Sequence, residues 1–254
     1  MRKYFMKDKS KNKTSFGFKE VDSDKKADLV GSVFDTVSKN YDLMNDLMSF
    51  GIHRLWKKVT IETSGIKDHF VVLDLASGTG DMVKLMRDKI SEKGTLILSD
   101  INASMLNEGR NRLIDEGIED VHPAQIDAQF LPFKDNTFDA IFVGFGIRNF
   151  TNIKVGLKEM RRCLKDNGNL IILEFSNPQS GIFQNIYDWY SFRILPKIGK
   201  LVANDENSYK YLVESIRMHP NQEKLKSMII DSGYNKCKFF NLLNGVVAIH
   251  KAVK

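Results

Sequence analysis

The sequence is short of the residues that mark disulfide-bonded, metal-binding and fibrous proteins. Its 254 residues include two cysteines, five prolines and seventeen glycines. Cys163 and Cys237 lie far apart and outside any Cys-x-x-Cys or Cys/His spacing, so neither a disulfide framework nor a metal site is indicated. So little glycine and proline excludes collagen-like and low-complexity chains. No uninterrupted apolar stretch approaches the roughly 18 residues of a membrane span, and the N-terminus lacks the apolar segment of a secretory signal; a cytoplasmic protein is expected. Net positive charge is also scarce outside one place. The first thirteen residues, MRKYFMKDKSKNK, carry six Lys/Arg against one Asp and hold most of the formal net charge of +6. The nearly neutral remainder argues against nucleic acid as a partner, and no aromatic RNA-binding run is present.

What the sequence does have is an alternation of two periodicities. Residues 1–25 read as a flexible basic arm and 26–254 as one domain. In 26–65 the pattern is helical: Leu29, Val30, Val33, Phe34 and Val37 mark one amphipathic face, with shorter helices near 41–48 and 51–63. FVVLDLA from Phe70 is a short apolar run ending in SGTGD, which suits a strand buried on both faces. Further strands are expected at 95–100, 121–126, 138–146 and 169–175. Asn102 caps the helix that follows the second strand, and Gly168 is expected in a left-handed conformation at the C-cap of the helix before the fifth, with Asn167 also tolerant of it. Residues 178–232 read as an added helical layer, and two closing strands at 236–241 and 245–252 flank Asn244-Gly245, a hairpin signal. The predicted fold is α/β: a doubly wound, mostly parallel seven-stranded Rossmann-like sheet with one reversed strand.

VVLDLASGTGD, Val71 to Asp81, is the most informative segment. Gly78 and Gly80 allow a sharp turn and close approach to a ligand, and Asp100, ending the second strand, is placed to accept hydrogen bonds from both hydroxyls of a ribose. A dinucleotide fingerprint wants a third glycine where this chain has Val83. S-adenosylmethionine needs no pyrophosphate site and gains from acidic groups near its sulfonium and amino end, where Asp74 and Asp81 are expected. Asp127, in Gln125-Ile126-Asp127-Ala128, is placed to accept from the adenine amino group. GFGIRNF after the fourth strand is not the (N/D)PP(Y/F) loop of amine methylation, and neither cysteine is placed to activate a ring covalently. An electron-rich phenolate or quinol ring needs only deprotonation and alignment.

YDLMNDLMSFGIHRLW (41–56) and RCLKDNGNLIILEFS (162–176) resemble the two signatures of the ubiquinone/menaquinone biosynthesis C-methyltransferase family, and GFGIRN and LVANDENSYKYLVESIRMHP look like further family segments. The resemblance implies a class I methyltransferase fold, S-adenosylmethionine as cofactor, and methylation of a ring carbon of demethylmenaquinol or 2-methoxy-6-polyprenyl-1,4-benzoquinol. It places cofactor contacts on Thr79, Asp100, Asp127 and Ala128. Gly144 stands where the family has a serine, which leaves only a backbone contact, and Lys-Asp-Asn-Gly at 165–168 replaces the usual Lys-Pro-Gly-Gly in a turn. In the expected mechanism Arg148 holds the phenolate, Asn149 orients the substrate, and His53 or Asp81 accepts the proton, Asp81 only with a raised pKa or a water relay. The aromatic stretch 182–199 is expected to wall a prenyl channel or lie against the inner face of a membrane, with the basic arm attracted to anionic lipid. Homo-oligomers or complexes with other quinone-biosynthesis enzymes are compatible with this reading. The rival functions are a class I methyltransferase of another phenolic or lipid substrate and a nicotinamide-dependent oxidoreductase.

Overall fold

The computed structural model describes residues 13–37, 41–49, 51–178, 189–203 and 205–254. Two short strands, β1 (Lys13–Phe16) and β2 (Lys19–Asp22), pair antiparallel and lead directly into α1 (Ser23–Val37). The expected arm therefore gives way to ordered structure from Lys13 onward; residues 1–12 lie outside the described residues. The hairpin is fastened to the body by distant groups: Phe16 stacks on Tyr211 with ring centroids 4.3 Å apart, and the Thr14 hydroxyl donates to the Thr151 carbonyl. On α1, Val30 and Val37 are buried, whereas Leu29 is exposed, so the apolar face is narrower than its spacing suggests.

Helices α2 (Tyr41–Ser49) and α3 (His53–Ser64) precede the main sheet. Its strands are β3 (Val71–Leu75), β4 (Thr95–Asp100), β5 (Val121–Gln125), β6 (Phe138–Gly144), β7 (Leu164–Phe175), β8 (Lys236–Leu242) and β9 (Val247–Val253). Their order is β5-β4-β3-β6-β7-β9-β8, and only β9 runs against the rest. Asn244 and Gly245, at φ +52° and +90°, supply the left-handed backbone of the closing hairpin.

Strand alternation divides the core in two. Val72, Leu98, Ala140, Phe142 and Ile171 point into one cluster, Leu73, Leu75, Ile141, Val143 and Leu170 into the other. Burial of each such side chain contributes roughly 1.5–3 kcal/mol, which is why these strands read as unbroken apolar runs. The crossover helices are α4 (Asp81–Arg87), α5 (Ala103–Asp115) and α6 (Ile153–Cys163). Gly168 is not the C-cap of α6. The helix exits through Leu164, already extended and paired with Phe138, and the left-handed residue is Asn167 at φ +63°, inside an irregular start to β7. The added layer holds α7 (Leu195–Ala203), α8 (Glu206–Met218) and α9 (Gln222–Asp231). Phe183 and Tyr187 of the aromatic stretch lie outside the described residues. Trp189 and Phe192 are exposed, while the Tyr190 hydroxyl donates to the Leu47 carbonyl. Among the described residues, no helix is long and apolar enough to cross a membrane.

Candidate active site

β4 lies on one side of β3 and β6 on the other, so the loops leaving β3 and β6 diverge and open a crevice at the sheet's C-terminal edge. Both strands leave through a left-handed residue, Ala76 and Phe145, each at φ +55°. That conformation costs a non-glycine residue about 1–3 kcal/mol and persists only where packing enforces it. Here the two bends touch: a Cβ on Gly146 would sit 2.6 Å from the Ala76 Cβ.

Gly78, at φ +57°, turns its N–H onto Asp100 Oδ2 (2.9 Å), and the Asn102 N–H donates to Oδ1 (2.8 Å). The carboxylate is thereby fixed facing the crevice, with further lone pairs on each oxygen. Burial pushes its pKa up, opposed in part by the N–H groups of Asn102, Gly78 and Ile101. The Asn102 side chain caps α5 by accepting from Met105 N–H and donates to the Gly31 carbonyl and to Asp35, which ties α1 over the site. Val30 and Phe34 of α1 join Met105, Asp127 and Ala128 in the lining. Asp127 Oδ1 accepts from the Gln129 N–H. α1 was legible as an amphipathic helix, but nothing in its spacing marked it as a cover.

Close helix packing on the glycine loop comes from an unexpected residue. A Cβ on Gly109 of α5 would lie 2.8 Å from the Gly78 carbonyl oxygen, so this glycine does what a third fingerprint glycine does elsewhere, while Val83 is fully buried in the core. The available signal was a glycine on the buried face of a helix.

Asp74 shares the strand face of Val72 and is 1% exposed; neither carboxylate oxygen has a hydrogen-bond partner. Burial raises its pKa well above the carboxylate range; Lys57 opposes this, and Asp100 and Asp81 reinforce it. Asp81 is instead paired twice, with Lys57 at 2.6 Å and Arg112 at 2.9 Å. Burial acts to raise its pKa, but the two cations prevail and hold it below its ordinary value. It therefore lacks the raised pKa that direct proton acceptance requires. Thr79, Gly80 and Gly144 lie outside the crevice lining: Thr79 is buried, Gly80 packs on Leu98 and Leu113, and Gly144 makes room for Met82, whose Cγ would be 3.3 Å from an added Cβ.

Arg148 departs most from expectation. It is neither a surface residue nor free for a phenolate: its guanidinium is 3% exposed, pairs with Glu174 at 2.8 Å, and also donates to the Phe145 carbonyl. It lies 5.8 Å from the centroid of the Phe175 ring. The pair fastens the loop that carries Phe145 and Asn149. Asn149 does face the crevice, and the Tyr211 hydroxyl donates to its Oδ1 at 2.9 Å, which turns the amide N–H groups elsewhere. His53 is buried outside the crevice lining, with Nε2 3.0 Å from Asp46 Oδ1 and Nδ1 without a partner. Burial and the Lys57 charge lower its pKa, with Asp46 opposing. Burial pushes the thiols of Cys163 and Cys237 up to about 11, which keeps both un-ionised at neutral pH.

These residues fit S-adenosylmethionine. Asp100 offers acceptors for a ribose diol, the loop at Gly78 and Gly146 exposes backbone, Met105 and Ala128 give an apolar wall for an adenine, and the orphaned carboxylate of Asp74 calls for a nearby positive charge.

The sequence model of the ubiE/COQ5 methyltransferase family matches residues 19–254. The ubiquinone/menaquinone biosynthesis C-methyltransferase UbiE of Methylococcus capsulatus is 52% identical over 246 residues, covering 96% of this chain and 99% of that one. The protein of the same name from Legionella pneumophila strain Lens is 54% identical over 245 residues, covering 96% and 98%. A solved S-adenosylmethionine-dependent methyltransferase of Thermotoga maritima, described as a possible histamine N-methyltransferase, superposes with a TM-score of 0.64 over 88% of this chain and 98% of that one at 16% identity. The [4+2]-cyclase SpnF superposes with a TM-score of 0.63 over 89% and 94% at 15% identity. At such identities these structures speak for the fold alone.

Proposed function

This chain belongs to the ubiE/COQ5 methyltransferase family, and from that premise we propose how its residues carry out C-methylation of a prenylated quinol. The enzyme is an S-adenosylmethionine-dependent C-methyltransferase of ubiquinone and menaquinone biosynthesis, and its substrate is a lipophilic quinol. The observation that carries the reading is Asp100, buried at the crossover with both oxygens pinned by backbone N–H groups and facing the crevice. The cofactor supplies an electrophilic methyl group on a sulfonium centre.

Asp100 holds the ribose and Asp74 offsets the positive charge. Asn149, oriented by Tyr211, donates to the quinol oxygen that becomes a phenolate. His53 is buried outside the crevice lining and hydrogen-bonded to Asp46, so it is not placed to accept the quinol proton, which leaves from the oxygen that Asn149 holds. Loss of that proton moves electron density onto the adjacent ring carbon, which would form the new carbon–carbon bond to the methyl group as the methyl–sulfur bond breaks and its electron pair stays on sulfur; the same carbon then releases its hydrogen to solvent as a proton, and the ring regains aromaticity. Arg148 acts on the shape of the Phe145–Asn149 loop through Glu174. The exposed rings of Phe18, Trp189 and Phe192 meet a membrane surface at the inner face, where the prenyl tail resides; the Phe18 and Phe192 rings stack 6.1 Å apart.

The test is methyl transfer from isotopically labelled cofactor to reduced demethylmenaquinol and to 2-methoxy-6-polyprenyl-1,4-benzoquinol, with the product located by mass spectrometry. The label is expected on a ring carbon. Label on oxygen, or transfer only to a non-quinol phenol, would contradict the reading.

A further inference from the structure

A second cavity, of about 300 Å³, backs onto the crevice. Phe150 and Thr151 line both, and on α1 the neighbours Ala27 and Lys26 line the first and the second respectively. Lys26, Arg148 and His219 all line this second space. Lys26 is 4% exposed, and its ammonium donates to the Phe150 carbonyl at 2.9 Å. That uses one of three donors, and no carboxylate among the described residues pairs with it. Arg148 Nε and His219 Nδ1 are buried and also without partners. The Arg148 charge is matched by Glu174, so the Lys26 charge is the uncompensated one.

Such an arrangement is costly in an empty protein. An orphaned buried donor loses its hydration without replacement, and native interiors keep few of them. Burial alone brings Lys26 down to about 8, and burial together with Arg148, His250 and Lys26 brings His219 down to about 3. One acceptor-rich anion reaching into the cavity satisfies all three groups. Ile153, Met218 and Met228 add an apolar part to a lining that also includes Thr14, Ser15 and Lys154. We propose that this cavity binds a phosphate group, on the convergence of Lys26, Arg148 Nε and His219 Nδ1 in one space with no acid left to neutralise Lys26.

The full chain is titrated with inorganic phosphate by calorimetry while the ring resonances of His219 are followed by NMR. In parallel it is floated with phosphatidylglycerol vesicles and with phosphate-free glycolipid vesicles. The wild type is expected to bind phosphate saturably with a shift of the His219 ring, and K26M, which removes a buried unpaired charge and keeps the stem, is expected to bind at least tenfold more weakly. Vesicle binding that requires both lipid phosphate and Lys26 assigns the group to a lipid headgroup, and response to inorganic phosphate alone assigns it to a soluble ion or ester. No saturable response in either arm, or a response unchanged in K26M, overturns the proposal. Should K26M fail to fold, the His219 ring in the wild type decides: a saturable shift supports the site, and an unmoved ring overturns it.

Discussion

Asp74 at the end of β3 and Glu174 at the end of β7 are each 1% exposed, yet one carboxylate has no partner and the other has three donors. Burial raises the pKa of both. Glu174 is answered within the protein, by Arg148 and by backbone N–H groups, and so becomes part of the scaffold. Asp74 is left without a partner beneath the crevice, into which Asp100 turns free lone pairs. Buried charge that the fold completes holds a loop in shape, whereas buried charge that the fold leaves incomplete marks where a ligand belongs.

Breaking the closed side should have the largest effect. Glu174→Ala strands the Arg148 cation and is expected to cost about 3–5 kcal/mol of stability, read by denaturant unfolding, with loss of activity as a consequence of unfolding. A variant as stable as the wild type would show that the pair is not structural. His53→Gln, at a buried site outside the crevice, should cost about 1–3 kcal/mol of stability, read by denaturant unfolding, and leave kcat within a few-fold of the wild type; a hundredfold loss of kcat in a variant of wild-type stability would make His53 the proton acceptor after all. On the open side, Asp74→Asn should weaken cofactor binding about tenfold while leaving the free protein about as stable as before, because the buried carboxyl that it replaces has no hydrogen-bond partner to lose; a large loss of stability would place Asp74 with the scaffold. Tyr211→Phe is the mildest change. It frees Asn149 and should lower kcat a few-fold with little change in KM for the cofactor, worth about 1 kcal/mol for one hydrogen bond.

Much of this was legible in the chain. TLILSD formed the strand its composition called for, Asn102 formed the cap, and Asn244-Gly245 formed the turn, because each rests on local rules of backbone and pattern. Gly78 and Asp100 were legible for the same reason, each lying at the C-terminal end of one of the two adjacent parallel strands of a strand–helix–strand unit. The β1–β2 hairpin was not. KTSF and KEVD show no apolar face, and the strands are held by Phe16 on Tyr211 and by Phe18 N–H on Glu214, contacts that no local window contains. Arg148 was misread because its partner lies on another strand, although a glutamate inside the apolar run NLIILEF was a sign that some cation had to meet it. The pairing of Asp81 was hidden likewise, since Lys57 and Arg112 reach it from α3 and α5.

The central claim is that Asp100 grips the ribose of the methyl donor, and calorimetric titration of S-adenosylmethionine into wild type and Asp100→Ala tests it most directly. Affinity is expected to fall at least a hundredfold, about 2.7 kcal/mol, in a variant whose thermal unfolding matches the wild type. Wild-type affinity in a folded Asp100→Ala would mean that the ribose is held elsewhere.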